Sequence, residues 1–336
     1  MTSNPSASAA SAARPPLAVA ERLRTRQDIL QEKSRLRAHA ADLSETARAY
    51  KAGSPERNRL YAQVQQCFDE QQVMEELLQQ KFLPQHSPLQ LLSPQAFFMS
   101  PLFRVCSKRV PRSRDALVDF HGANGRMLFR YQGPELRQSD GLVFMALLNL
   151  ARDVRAGEVV AFSAEALCQA TFGRYDGPTR NQLRDHIKRL QRGLVEFNTA
   201  SVQLCLRFDF PSRGLWSVAL DEDIVTLFQQ SHQVWLSLPT RRQLPEGLST
   251  WLYAFIESQT RLIPTKVETL HQMCGSDASG ESFTRMLRTA LKELCGVGLL
   301  APGWKLRGGF LHWMKADSNN MTALPASALP APALSA

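Results

Sequence analysis

The segment Thr179–Arg192 reads TRNQLRDHIKRLQR, and its Leu183, Ile187 and Leu190, continued by Leu194, fall at spacings of 4, 3 and 4. That period predicts an amphipathic helix with one face anchored in a core. Arg180, Arg184 and Lys188 recur every four residues on another face, with Arg189 and Arg192 beside them, and Asp185 is the lone acid in the segment. Further on, Glu281–Leu294 reads ESFTRMLRTALKEL and repeats the arrangement. Phe283, Leu287, Leu291 and Leu294 form its apolar stripe. Arg285, Arg288 and Lys292 form its basic one, with Ser282, Thr284 and Thr289 as polar neighbours. Arginine, lysine and small hydroxyl residues opposite an apolar anchor are what a DNA recognition helix needs, because they reach base edges and phosphates.

Working outward, each helix sits in the same order of elements. Ser139-Asp140 is read as a cap for a helix over Leu142–Arg152. A short strand Val159–Phe162, a helix Ala164–Ala170 closed by Gly173, and the helix from Thr179 follow. Gly193 stops that helix, and strands are expected at Leu194–Phe197, Ser201–Phe210 and Leu215–Leu220, the last two turning at Pro211-Ser212-Arg213-Gly214. The second set runs through helices Leu248–Thr260, Val267–Cys274 and Glu281–Leu294, the first two parted by Pro264 and the last two by a Gly/Ser turn over Gly275–Gly280. It ends in a hairpin, Leu299–Leu306 and Phe310–Met314, turning at Arg307-Gly308-Gly309. Both sets read as winged helix-turn-helix units, and a duplicated unit is the most informative pattern in the chain. The fold class is therefore α+β, with two tandem winged-helix domains. The predicted DNA-contacting residues are Arg180, Arg184, Lys188, Arg192 and Arg213 in the first, and Ser282, Arg285, Arg288, Lys292, Lys305 and Arg307 in the second. Arginine suits bidentate contact with guanine; Lys188 and Lys305, as flexible point charges, suit phosphates; the wing-tip Arg213 and Arg307 suit a minor groove or flanking phosphate.

The rest of the chain divides around these units. Ile29, Leu36, Ala40, Leu43, Ala47 and Tyr50 form one heptad seam, and Leu60, Val64, Cys67, Met74 and Leu78 a second, broken by Ala52-Gly53-Ser54-Pro55. Residues 17–81 are thus expected to fold as an antiparallel helical hairpin, either packing on itself or serving as an oligomerisation or docking arm. Residues 1–16 and the Ala/Leu/Pro-rich 317–336 are expected to be disordered. Four prolines (Pro84, Pro88, Pro94, Pro101) mark 82–101 as a linker. The first winged-helix domain is then assigned to 102–220, a connecting segment with a helix at Asp223–Gln230 to 221–247, and the second domain to 248–316. A β-hairpin is expected around His121–Gly125.

Composition narrows the function. The 336 residues are 44% hydrophobic and 21% charged, ordinary for globular protein, with a net charge of +9. No apolar run approaches the roughly 18 residues of a membrane span, so no membrane association is expected. The basic balance favours an acidic partner such as nucleic acid. Six scattered cysteines with no CxxC pair indicate neither a zinc ribbon nor a thioredoxin-like site, and suit small core residues in a reducing cytoplasm. No GxxxxGK[ST] loop, HExxH, GxSxG or paired-carboxylate constellation occurs, and His271 with Cys274 lacks a second ligand pair. No catalytic residue, metal or cofactor is expected; the protein is not expected to be an enzyme.

Several stretches then resemble one family in order. Thr265–His271 with Cys274-Gly275-Ser276, Leu287–Leu294, Phe129-Arg130-Tyr131 with Gly133, Gln138-Ser139-Asp140, Ala146-Leu147-Leu148 with Leu150-Ala151-Arg152, and Phe162-Ser163-Ala164 resemble the TrfA-type plasmid replication initiators. The likeness covers about Leu92 to Met314. It implies a bacterial cytoplasmic protein that binds direct repeats (iterons) in double-stranded origin DNA, promotes opening of an A·T-rich segment, and recruits the host initiator and replicative helicase. It also implies a monomer–dimer equilibrium that restrains copy number. The residues by themselves suit a winged-helix transcriptional repressor equally, including one acting on its own promoter.

Overall fold

The computed structural model describes Leu23 and residues 25–107, 109–122, 125–197 and 200–316. The expected disordered ends, 1–16 and 317–336, lie outside the described residues. Two compact units emerge, one extending to Phe82 and taking in Asp153–Arg155, the other holding the remainder from Leu83 onward.

The first unit is a pair of helices, α1 (Arg26–Arg48) and α2 (Pro55–Lys81). Helix α1 starts in a reciprocal capping box: the Asp28 N–H donates to the Thr25 hydroxyl and the Thr25 N–H to the Asp28 carboxylate, both at 3.1 Å. Helix α2 starts with Ser54 as cap and Pro55 at its first position, where a missing N–H costs nothing. Ile29, Leu36 and Ala40 pack with Val64, Cys67, Met74 and Phe82 in one cluster, as the seams predict, and Lys33 pairs with Glu75 across the helices. Tyr50, the last residue of the expected first seam, is instead exposed.

The second unit opens with β1 (Gln90–Pro94), α3 (Gln95–Phe98), β2 (Phe103–Arg104), β3 (Ala116–His121), β4 (Met127–Gly133) and β5 (Leu136–Arg137). The stretch read as a linker is therefore folded, with Leu91, Leu92, Phe97 and Phe98 buried. Its prolines bound elements rather than exclude them: Pro94 ends the strand and caps α3. The first set of helices and strands follows as α4 (Gln138–Leu150), β6 (Val159–Phe162), α5 (Ala164–Phe172), α6 (Gly177–Gln191), β7 (Leu194–Phe197), β8 (Ala200–Gln203), β9 (Arg207–Asp209) and β10 (Trp216–Ala219). The strand expected over Ser201–Phe210 is two strands in two sheets. At the crossing, the Leu204 N–H donates to Gly193 O at 3.0 Å and the Leu206 N–H to Ala219 O at 2.9 Å, with Leu204 and Cys205 fully buried.

The connection holds α7 (Thr226–Gln229), shorter than the expected Asp223–Gln230 helix, then β11 (Gln233–Ser237) and α8 (Leu238–Gln243). The second set is α9 (Leu248–Glu257), β12 (Thr265–Lys266), α10 (Val267–Cys274), α11 (Gly280–Gly296), β13 (Lys305–Arg307) and β14 (Phe310–His312). The expected strand Leu299–Leu306 is interrupted by Pro302 and Gly303: Leu300 bridges Lys315 antiparallel ahead of the break, and only Lys305–Arg307 forms a strand of the hairpin.

Sheet orders are β3-β4-β7-β8, β6-β10-β9 and β12-β14-β13, with the pairs β1-β11 and β2-β5. The duplication is visible in the topology. In each copy the short strand before the second helix pairs antiparallel with the last hairpin strand, β6 with β10 and β12 with β14. The two expected domains nonetheless share one compact unit, because Leu91, Phe98, Val105 and Met145 pack in a single core with Trp251, Leu252, Leu270, Phe283 and Leu287.

Candidate nucleic-acid interface

Each third helix is set by a left-handed glycine and a side-chain cap. Helix α5 ends on Gly173 (φ +70°) and α10 on Gly275 (φ +61°), backbone that glycine adopts at no steric cost. The Asp176 carboxylate then accepts the Thr179 N–H at 2.7 Å to start α6, and the Ser279 hydroxyl accepts the Ser282 N–H at 3.4 Å to start α11. The buried positions correspond in order and spacing: Thr179, Leu183, His186, Ile187 and Leu190 in α6 against Phe283, Leu287, Ala290, Leu291 and Leu294 in α11.

The predicted basic stripe of α6 is divided by its surroundings. The Arg180 guanidinium lies 5.3 Å over the Trp216 ring and donates to the Pro211 and Ser212 carbonyls at 3.3 Å. Arg184 lies 5.8 Å from both the Phe210 and Trp216 rings. Both arginines are half-buried against the β9–β10 hairpin. Arg192 pairs with Asp115 at 3.1 Å, while Lys188 and the hairpin-tip Arg213 are exposed. The residues of α6 that face solvent alongside Lys188 are Asn181, Gln182 and Asp185.

Helix α11 presents its basic stripe outright. Arg285, Arg288 and Lys292 are exposed, and among the described residues none is held in an ion pair. Arg285 donates to the half-buried Ser282 hydroxyl at 3.3 Å. Glu293, a conceivable partner for Arg288 or Lys292, accepts the Ser249 hydroxyl instead. Lys305 and Arg307 are exposed on β13, where Gly308 (φ +59°) and Gly309 (φ +77°) turn the hairpin with two consecutive left-handed residues. Helix α11 and the hairpin that follows it thus carry five exposed cations that, among the described residues, no ion pair holds.

The family described as "TrfA protein" matches residues 60–312. The chain belongs to the TrfA family. A relative, the plasmid replication initiator protein TrfA of Escherichia coli, is 30% identical over 220 residues, which cover 61% of this chain and 56% of the relative. The chain therefore aligns with about half the length of that curated relative. A crystal structure of domains 2 and 3 of RctB covers 66% of this chain and 98% of its own, at 12% identity and a TM-score of 0.45. The TrfA-family match begins inside α2, upstream of the stretch that carries the sequence resemblance.

Behind the α6 surface, this TrfA-family chain builds a charge cluster that the sequence pattern did not reveal. Asp140, read above as part of a cap, serves as one from the third position of α4: it is fully buried and its carboxylate accepts the backbone N–H of the N-cap residue, Arg137. The Asp140 Oδ1 faces the His186 Nδ1 at 2.7 Å and accepts from Arg189 Nε at 2.8 Å. Its Oδ2 accepts from Arg112 at 2.6 Å and the Arg137 N–H at 2.8 Å. Burial alone would raise this carboxyl, but His186, Arg189 and Arg112 hold it well below the usual carboxylate range. Arg189 is thus an internal tie rather than a surface cation. Nothing in the local pattern signals this, because the donors come from separate segments.

Of the remaining candidates for chemistry, Cys274 is buried and His271 half-buried. The His271 ring stacks on Phe283 at 4.3 Å between centroids, and burial pushes the Cys274 thiol up to about 12. Among the described residues no group of three or more His, Cys, Asp or Glu side chains is arranged to hold a metal. No described helix is long and apolar enough to cross a membrane.

Proposed function

We propose that this protein is a plasmid replication initiator that binds direct repeats in double-stranded origin DNA through two winged-helix modules. In this reading α5–α6 and α10–α11 are the helix-turn-helix pairs, and the β9–β10 and β13–β14 hairpins are the wings. The observation that carries it is the TrfA-family match over a chain whose duplicated third helix exposes Arg285, Arg288 and Lys292. Helix α11 enters the major groove with Arg285 and Arg288 at base edges, and Lys305 and Arg307 hold flanking phosphates. Binding and bending strain, rather than nucleotide hydrolysis, drive opening of an adjacent A·T-rich segment. The host initiator and helicase then enter at the opened strand, in the bacterial cytoplasm, and a monomer–dimer equilibrium restrains initiation. No metal, cofactor or catalytic residue takes part. Footprinting the purified protein on the DNA flanking its own gene tests the reading. Protection of an array of direct repeats, with ATP-independent permanganate reactivity beside it, is the expected result. Protection of one inverted repeat at a promoter would make the protein a repressor instead.

A further inference from the structure

The two third helices share a core register, so their outward positions can be compared one for one. Aligned on Leu183 with Leu287 and Ile187 with Leu291, Asn181 takes the place of Arg285, Asp185 that of Thr289, and Lys188 that of Lys292. All of these are exposed. Arg184 takes the place of Arg288, yet Arg288 faces solvent while Arg184 lies on Phe210 and Trp216. The outward face of α6 is therefore two amides, a carboxylate and a single lysine.

Those residue types have a particular chemistry at a base edge. Asn and Gln match the N6 donor and N7 acceptor of adenine, and a carboxylate accepts from the cytosine N4 amine. Asp185 is also the wrong charge for a surface that only holds phosphate. Among the described residues it has no ion-pair partner, so its charge faces whatever α6 approaches. A carboxylate so placed weakens binding to any duplex except one that offers it a donor.

Resting on the DNA-binding reading above, we propose that Asn181, Gln182 and Asp185 are the specificity-determining residues of the first module, selecting an adenine- and cytosine-bearing edge. Arg180 and Arg184 are positioning residues that fix the β9–β10 hairpin against α6. The two modules then read different bases from one scaffold: amides and a carboxylate in the first, arginines in the second.

The test uses the full-length chain and duplexes that it enriches from a random-sequence pool, with a scrambled duplex of equal composition as reference. The double variant N181A/Q182A is expected to bind the enriched duplex about 5- to 150-fold more weakly, with the scrambled duplex unchanged. D185A is expected to tighten the scrambled duplex and so narrow the gap between the two. R184A is expected to weaken both alike. Replacing the contacted adenine by 7-deazaadenine should weaken the wild-type chain and leave N181A/Q182A unaffected. All three positions are exposed, so the variants retain the fold. If N181A/Q182A and D185A keep the wild-type ratio of enriched to scrambled binding, the assignment falls while DNA binding stands. If the wild-type chain enriches no sequence at all, the DNA-binding reading falls and takes the assignment with it.

Discussion

Replacing Asp140 by asparagine keeps the shape of the side chain and removes its charge. Each oxygen of the carboxylate has two partners: the Arg189 N–H and the His186 Nδ1 on one, the Arg112 and Arg137 N–H groups on the other. An amide has one acceptor oxygen, so whichever way the new side chain turned, its NH2 group would oppose at least one arginine donor. Asp140 is fully buried, while the Arg112 and Arg189 side chains are 27% and 23% exposed. Breaking a buried charge pair of this kind costs about 3–5 kcal/mol, and a domain of this size loses about 2–4 °C per kcal/mol, so D140N should melt about 6–20 °C below the wild type. The pH dependence is the sharper signature. The folded carboxyl titrates below its unfolded counterpart, whose ordinary value is 3.8. Its stabilisation is therefore fully present above that value and is lost as pH falls below it. Urea unfolding at pH 7, 5, 4 and 3 measures both effects, and the gap between wild type and D140N should shrink as the pH drops below about 4. A difference under about 1 kcal/mol at pH 7, or a gap independent of pH, would refute the hub.

Three further outcomes follow from the geometry. R285A and R288A should lower affinity for the enriched duplex more than for a scrambled one, whereas K305A should weaken both and reduce the salt slope by about 0.9; gel shifts at two salt concentrations decide, and equal losses on both duplexes for the arginine variants would move the base-reading face elsewhere. A Cβ at Gly275 would meet Pro101 Cβ at 2.7 Å on left-handed backbone, whereas one at Gly173 would meet nothing within 4 Å. G275A should thus cost about 2–4 kcal/mol and G173A about 1–2 kcal/mol in urea melts, and equal costs would mean that the close approach of Pro101 is relieved by local movement. A chain beginning at Leu83 should bind DNA normally by gel shift, since α1 and α2 bury their seam on each other; loss of most of the affinity would assign the hairpin a direct part in binding.

The third helices were legible because a 3.6-residue period carried by Leu183, Ile187 and Leu190, and by Phe283, Leu287, Leu291 and Leu294, survives any context. The strands β1 and β11 were not, since each is five residues long and is defined only by pairing with the other across the chain. The exposure of the basic stripe was legible in one helix and misread in the other. In α11 the charged stripe and the solvent-facing stripe coincide. In α6 the same spacing of arginines drew attention to a flank of the helix, and that flank is covered by Phe210 and Trp216, residues contributed by the following hairpin. The helical phase alone held the missing signal: at 3.6 residues per turn, Asn181 and Asp185 lie opposite the Leu183–Ile187 stripe, and Arg180 lies beside it. Charge periodicity says where cations recur; only the phase relative to the core says which way they face. The two third helices make this distinction visible, because their core register is common while their outward residues differ.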